Sequence, residues 1–288
     1  EEMVFHALKE LVLGFAAFIE RISQSRYGTV KIVLLAFFLA LFFAFPYFSP
    51  KTHQFAFNGE AYRNYVWDAI LLQIDSPLTS RYYPSSNHAS KIAFRITAPV
   101  IAHILHVSSV IGCLILQLMA FLAMVALIFA FLQKTMKDRV LAALASFSFC
   151  LSGLSASLAY DRSGFFDGFA YCFMVAAMFA RNSFLIFSFS LLAFYTDERA
   201  IVASGLIYVW KLLDYNREGF NLKLSNLLRP NKSCAALICS WISYCLIRFF
   251  LEKKFHLSVP IDDIGLKVAF QNMNVLPFAV LNSLKGLL

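Results

Sequence analysis

The chain has 288 residues; 60% are hydrophobic, 16% aromatic and only 15% charged, and the formal net charge is +8. A soluble domain is about half apolar and about a quarter charged, and here the mean hydropathy is +0.68, so an ordinary soluble fold is excluded. The alternating segments of a transmembrane barrel are missing as well. What remains is an all-α, polytopic transmembrane helical bundle. Its positive charge reads as the Lys/Arg bias of cytoplasmic loops rather than as a nucleic-acid surface.

Residues 3–20 ("MVFHALKELVLGFAAFIE") set Lys9, Glu10 and Glu20 among apolar residues at helical spacing. That pattern predicts an amphipathic helix lying on the membrane surface. Arg21, Arg26 and Lys31 follow as a basic collar. A first span is expected over 30–48, closed by Pro46 and Pro50, and a long external loop over 49–95. "RITAPVIAHILH" predicts a short interfacial helix before a second span at 107–132. After the basic turn "QKTMKDR" a third span is expected over 140–160, then "DRSGFFD".

Two short apolar segments, 166–180 and 183–195, are separated only by Arg181 and Asn182. At 1.5 Å per residue, fifteen residues reach about 22 Å, less than the ~30 Å hydrocarbon core. "TDER" opens a further segment at 200–213, followed by a basic loop at 211–232 and a span at 234–251. The polar stretch 252–270 leads into a last span that the chain leaves incomplete. The total is about seven to eight membrane segments. They group into an interfacial region, 1–28, and a transmembrane domain, 29–288. A start at Glu1 and an end inside an apolar run suggest a piece of a longer protein, with no cleavable signal peptide in its first apolar stretch.

The collar, the "KTMKDR" turn and the 211–232 loop are all rich in Lys and Arg. One alternating topology makes all three cytoplasmic, with the N-terminus inside. Glu60, Asp68, Asp75, Asp161, Asp167, Asp197, Glu198, Asp262 and Asp263 then fall on the opposite side. Asp161, Asp167, Asp197 and Glu198 stand in very short breaks between apolar segments. Ionisable groups at such depth usually face a protein-lined, water-filled cavity. Against this, loops commonly contain acids, and an internal ion pair of Arg199 with Asp197 or Glu198 accounts for the triplet by itself.

Other motifs carry less. Cys113, Cys150, Cys172, Cys234, Cys239 and Cys245 all lie in apolar stretches without Cys-x-x-Cys spacing, and read as free thiols. His103 and His106 stand three apart, a spacing that interfacial packing explains better than a metal pair. Asn231-Lys232-Ser233 matches a glycosylation acceptor on the expected cytoplasmic side, where it is inert. No phosphate loop, zinc-protease helix or nucleophile elbow is present.

The order of features resembles the polytopic glycosyltransferases of the C superfamily, which use polyprenyl-phosphate-linked sugars. The stretch "FNGEAYRNY" is similar to their acid-plus-aromatic segment after the first span. "SRYYPSSNHASKIAFRITAPVIAHIL" is similar to their Arg-then-Pro approach to the second span. "YDRSGFFDGFAYCFMVAAMFARNSFLIFSFSLLAFYTDERAIV" is similar to their module of an Asp near a helix start, an Arg-containing turn and a Thr-x-Glu-Arg triplet. The resemblance covers about residues 30–250. Glu60 stands further beyond the first span than the family acid does.

The resemblance implies sugar transfer from a polyprenyl-phosphate donor at the non-cytoplasmic face of the plasma or bacterial inner membrane. The base is one of Glu60, Asp68 and Asp161. Arg81, Arg95 or Arg199 would neutralise donor phosphate, Asp161 and Asp167 would orient substrate or hold a divalent cation, Asp197 would contribute to substrate binding, and Glu198 would line the cavity. The expected partners are the lipid-linked sugar and membrane lipids. Two alternatives stand beside it. One is a transporter or flippase, which the absence of a repeat and of mid-span prolines disfavours. The other is a non-catalytic membrane subunit.

Overall fold

The computed structural model describes residues 2–57, 65–79, 93–159, 164, 166–215, 231–255 and 257. Among them the regular structure is helical, without a strand. In chain order the helices are α1 Glu2–Ser23, α2 Gly28–Phe57, α3 Tyr65–Asp75, α4 Thr97–Ile104, α5 Val110–Met136 and α6 Arg139–Cys150. They continue as α7 Gly153–Ala159, α8 Asp167–Phe179, α9 Ser183–Phe194, α10 Arg199–Tyr215 and α11 Lys232–Phe255.

Local chemistry sets several of the boundaries. Ser109 Oγ accepts from Gly112 N at 3.1 Å to start α5. Asp138 Oδ1 accepts from Val140 N at 2.7 Å and Leu141 N at 3.1 Å to start α6. Asn182 starts α9 and Asn231 starts α11 in the same way. Each cap satisfies N–H groups that the first helical turn leaves without partners.

Two helices are long and apolar enough to cross a membrane, α5 with 27 residues and α11 with 24. Residues 28–44 of α2, and α6, α8 and α9, are apolar but shorter. The expected seven to eight full segments are therefore not reached among the described residues. Four boundaries also differ. Pro46 and Pro50 do not close the first span, because α2 continues through both to Phe57. Proline removes one ladder bond but leaves the rest, so it does not by itself end a helix. The mid-helix position of both prolines also removes one argument made above against transport.

The third expected span is two helices. The chain breaks at Leu151 and Ser152, where Ser152 Oγ accepts from Ser155 N at 3.3 Å and Ser155 Oγ donates to Cys150 O at 2.6 Å. The external loop 49–95 contains the end of α2 and all of α3. Lys211 belongs to α10 rather than to a loop, and is buried. The short pair α8 and α9, and the helices α1 and α4, form where the sequence places helices. The incomplete last span lies outside the described residues.

Packing forms two apolar cores. Ile32, Ala36, Phe121, Met124, Phe129 and Phe147 anchor the one built by α1, α2, α5, α6 and α7. Trp67, Ile70, Phe94, Ile186, Phe194 and Ile207 anchor the other, built by α3, α4 and α8–α11. Helices α5 and α8 pack on each other and contribute side chains to both. Chain direction then gives the bundle two ends. Residues 110, 167, 194, 199 and 255 lie at one, and residues 23, 136, 179, 215 and 232 at the other.

Candidate functional site

The acidic triplet lies where α9 gives way to α10. Thr97 joins this point to the start of α4: its N–H donates to Tyr195 O at 3.1 Å, and its Oγ1 donates to Leu192 O at 2.9 Å. Tyr195 O, past the last ladder bond of α9, is thereby satisfied, while Leu192 O also accepts from Thr196 N at 3.1 Å. The staple also sets Phe94 and Arg95, just ahead of α4, against Asp197 and Glu198.

Asp167 arrives from a third direction, and the residue before it explains how. Phe166 has φ of 58°, in the left-handed region that a bulky residue rarely occupies. Its ring is buried edge-to-face on Trp67 of α3, with centroids 6.2 Å apart, and on Phe169 at 5.9 Å. Aromatic burial offsets the backbone cost. The turn leaves Asp167 as the first residue of α8, where the helix dipole favours a negative charge.

Four charged side chains from three segments meet there. Arg95 Nη2 lies 3.2 Å from Asp197 Oδ1, and its Nη1 lies 3.7 Å from Asp167 Oδ1. Arg199 Nε donates to Asp197 Oδ2 at 2.7 Å, while its Nη2 donates to both oxygens of Asp167 at 2.9 and 3.0 Å. Asp197 Oδ1 also accepts the Arg199 backbone N–H at 3.1 Å, which caps the start of α10. Exposure is graded. The side chains of Asp197 and Arg95 are 5% and 9% exposed, that of Asp167 28% and that of Arg199 67%.

Burial by itself raises the Asp197 carboxyl, but the Arg199 hydrogen bonds and the Arg95 charge outweigh it and hold the group below the usual carboxylate range. Asp197 is therefore an ionised acceptor with its lone pairs occupied, a poor general base.

A second cluster stands on the other side of Phe94. Glu198 Oε2 accepts from Arg248 Nη1 at 3.0 Å, and the same nitrogen donates to Tyr244 Oη at 2.7 Å. The Arg248 guanidinium lies 4.3 Å from the centre of the Phe94 ring, a cation–π contact. Tyr195 Oη donates to Tyr244 O at 3.2 Å, tying the end of α9 to α11.

Of the residues singled out in the sequence, Arg95, Asp167, Asp197 and Arg199 come together directly, and Glu198 adjoins them through Arg248. Asp68 is exposed in the first turn of α3, next to the Trp67 that covers Phe166. Glu60, Asp161 and Arg81 lie outside the described residues. Sequence reasoning missed Arg248. A lone Arg in the apolar run "CLIRFF" was the available signal.

The remaining candidates take structural roles. His103 Nδ1 lies 2.7 Å from Ile74 O and joins α4 to α3, in line with the packing expectation. Asn231 Nδ2 donates to Lys211 O at 3.1 Å while its Oδ1 caps α11, so the acceptor amide of the glycosylation motif is engaged. Among the cysteines, Cys239 and Cys245 are exposed on α11 and the others are buried or half-buried. No three His, Cys, Asp or Glu side chains gather to hold a metal among the described residues. Asp167 and Asp197 are saturated by guanidinium groups, a poor fit for a divalent cation.

Comparison with known proteins adds no relative: no family model, no curated protein and no solved structure matches the chain.

Proposed function

We propose that the chain is a polytopic membrane enzyme that transfers a sugar from a polyprenyl-phosphate donor, with the donor phosphate held beside Arg199. One observation carries the reading: charged side chains from three distant segments converge at one end of the bundle and become more exposed toward Arg199. Arg199 Nη1 donates to no group among the described residues, so the guanidinium keeps a face for a phosphate oxygen. The leaving phosphate needs fixed positive charge, and the acceptor hydroxyl needs a proton acceptor. Asp197 is unsuited to the second task, which leaves it to Glu60, Asp68 or Asp161.

Membrane embedding with more segments than α5 and α11 has its own support. Phe38 and Phe42 on α2, Val202 and Leu206 on α10, and Phe249 and Phe250 on α11 are exposed large apolar side chains. Apolar surface on that scale, on helices of both cores, suits lipid rather than water. Charge is divided between the ends in the manner the positive-inside rule describes. Arg21, Arg26, Lys31, Lys134, Lys137, Arg139, Arg181, Lys211 and Lys232 stand at the end opposite the site, against Glu20, Asp138 and Asp214. That end is the cytoplasmic one in this reading.

The test is transfer from a polyprenyl-phosphate-linked sugar by the purified protein in bilayers. One of Glu60→Gln, Asp68→Asn and Asp161→Asn lowers the rate by about 100-fold or more; Arg199→Ala raises the KM for donor. Full transfer by all three carboxylate variants overturns the proposal. Uptake of substrate without a covalent product moves it to transport.

Charge balance favours a second reading. Two arginines face two aspartates, and Arg248 faces Glu198, so every charge is matched. In a non-catalytic subunit the same network simply pins α4, α8 and α10 together. Asp197→Ala then lowers folded yield, while the protein that survives performs as the wild type does.

A further inference from the structure

We propose that the hollow between the end of α5 and the α8–α9 turn binds the phosphate of an anionic phospholipid on the basic face of the bundle. The hollow is partly enclosed, and its walls include Phe131, Phe179, Trp210, Lys134, Thr135 and Arg181. Its enclosed volume is about 20 Å³. That is room for one water-sized group, such as a phosphate oxygen, and excludes a whole sugar or nucleotide.

Three of the residues that line it carry donors without a protein partner among the described residues. Lys134 Nζ, the Arg181 guanidinium and Trp210 Nε1 make no hydrogen bond or ion pair among the described residues. The nearby Asp138 carboxylate is occupied in capping α6. Among the described side chains no carboxylate pairs with Lys134 or Arg181, unlike the cluster at the other end, where each guanidinium meets a carboxylate.

The turn that carries Arg181 is also held in place. Lys211, buried in α10, donates from Nζ to Met178 O at 2.8 Å and to Ala180 O at 2.5 Å. It fixes the carbonyl end of α8, where the dipole favours a cation, and with it the turn that presents Arg181. Phe131 stacks edge-on against Trp210, with centroids at 4.9 Å, and against Phe179 at 5.5 Å. An aromatic wall beside two cations at the end of a membrane-length helix matches the level of lipid headgroups. A phosphodiester seated there directs its acyl chains along the exposed apolar flank of the bundle. A free phosphate ion gains nothing from that flank.

The inference rests on membrane embedding and not on sugar transfer. Retention by neutral phosphatidylcholine vesicles checks the embedding separately. Purified protein in detergent is titrated with short-chain phosphatidylglycerol, short-chain phosphatidylcholine or inorganic phosphate, and its thermal midpoint is read. Phosphatidylglycerol raises the midpoint, and the other two do not. Lys134→Gln and Arg181→Gln each weaken the response by about fivefold, and the double variant by about thirtyfold. Arg26→Gln, at the same end but away from the hollow, leaves it unchanged. Both altered side chains are exposed, and each shift is measured within its own variant, so a stability offset does not obscure the result. A double variant that responds like the wild type overturns the proposal. So does an equal loss in Arg26→Gln, which marks a diffuse basic rim, or equal protection by inorganic phosphate, which marks a soluble ligand.

Discussion

Arg95 Nη2 and Asp197 Oδ1 meet at 3.2 Å although 102 residues separate them in the chain. Both side chains are almost fully shielded from solvent. The pair fixes how the approach to α4 docks on the α9–α10 junction. Loss of Asp197 takes from the buried Arg95 its closest counter-charge and leaves Asp167 at 3.7 Å, whereas loss of Arg95 leaves Asp197 paired with Arg199 at 2.7 Å.

Asp197→Ala is accordingly expected to be the most costly single change in the cluster, at about 3–5 kcal/mol. Arg199→Ala costs far less, because that side chain is largely in solvent. Thermal unfolding in detergent ranks the two. An equal loss refutes the burial gradient.

The same carboxylate sets an acid limit on stability. Its folded pKa lies below the ordinary value, so the unfolded chain binds the proton more readily. The contribution is complete above the unfolded carboxylate pKa of about 4 and disappears as pH falls through the lower folded value. A titration of thermal midpoint against pH is expected to fall in that range for the wild type, and to be flatter for Asp197→Asn.

Arg248→Ala is expected to destabilise more than Glu198→Ala. The Arg variant loses the Phe94 ring face and Tyr244 Oη together with the carboxylate, and the Glu variant loses one half-exposed partner. The coupling of Glu198 with Arg248 in a double-mutant cycle is about 0.2–1 kcal/mol.

A Cβ at Gly168 would stand 2.6 Å from Leu158 O, a backbone atom that cannot rotate away. Gly168→Ala must push α8 off α7, and it moves Asp167 with it. Unfolding measurements are expected to show a loss that Gly205→Ala, in open space, does not produce.

The gathering of Arg95, Asp167, Asp197 and Arg199 was partly legible in the sequence, because charges in very short breaks between apolar runs have few places to go. The triplet itself suggested a pair of Arg199 with Asp197 or Glu198, and Asp197 is the partner; the reach of Arg95 and Arg199 to Asp167 was not legible, since spacing along the chain says nothing of which guanidinium meets a carboxylate from another segment. Arg248 escaped notice because an apolar run conceals a single cation. Lys211 was misplaced for a related reason. Four residues of its helix follow it and lead into a polar run, yet its long stem lets the ammonium reach the α8 carbonyls. The prolines of α2 misled because each removes one ladder bond without by itself ending the helix. The break of the third span at Ser152 hinged on hydroxyl bonds that hydropathy does not register.

The sharing of α5 and α8 between the two cores has a consequence for biosynthesis. Helices α1, α2, α5, α6 and α7 emerge early and can assemble on one another as the ribosome proceeds. Helices α3 and α4 emerge among them, but their partners in α8–α11 are translated later. Until then Trp67 and Phe94 have no cover of their own, and the nascent chain must hold this hairpin aside. A stop soon after residue 159 would release a protein with one finished half and an orphaned aromatic patch, a natural substrate for quality control.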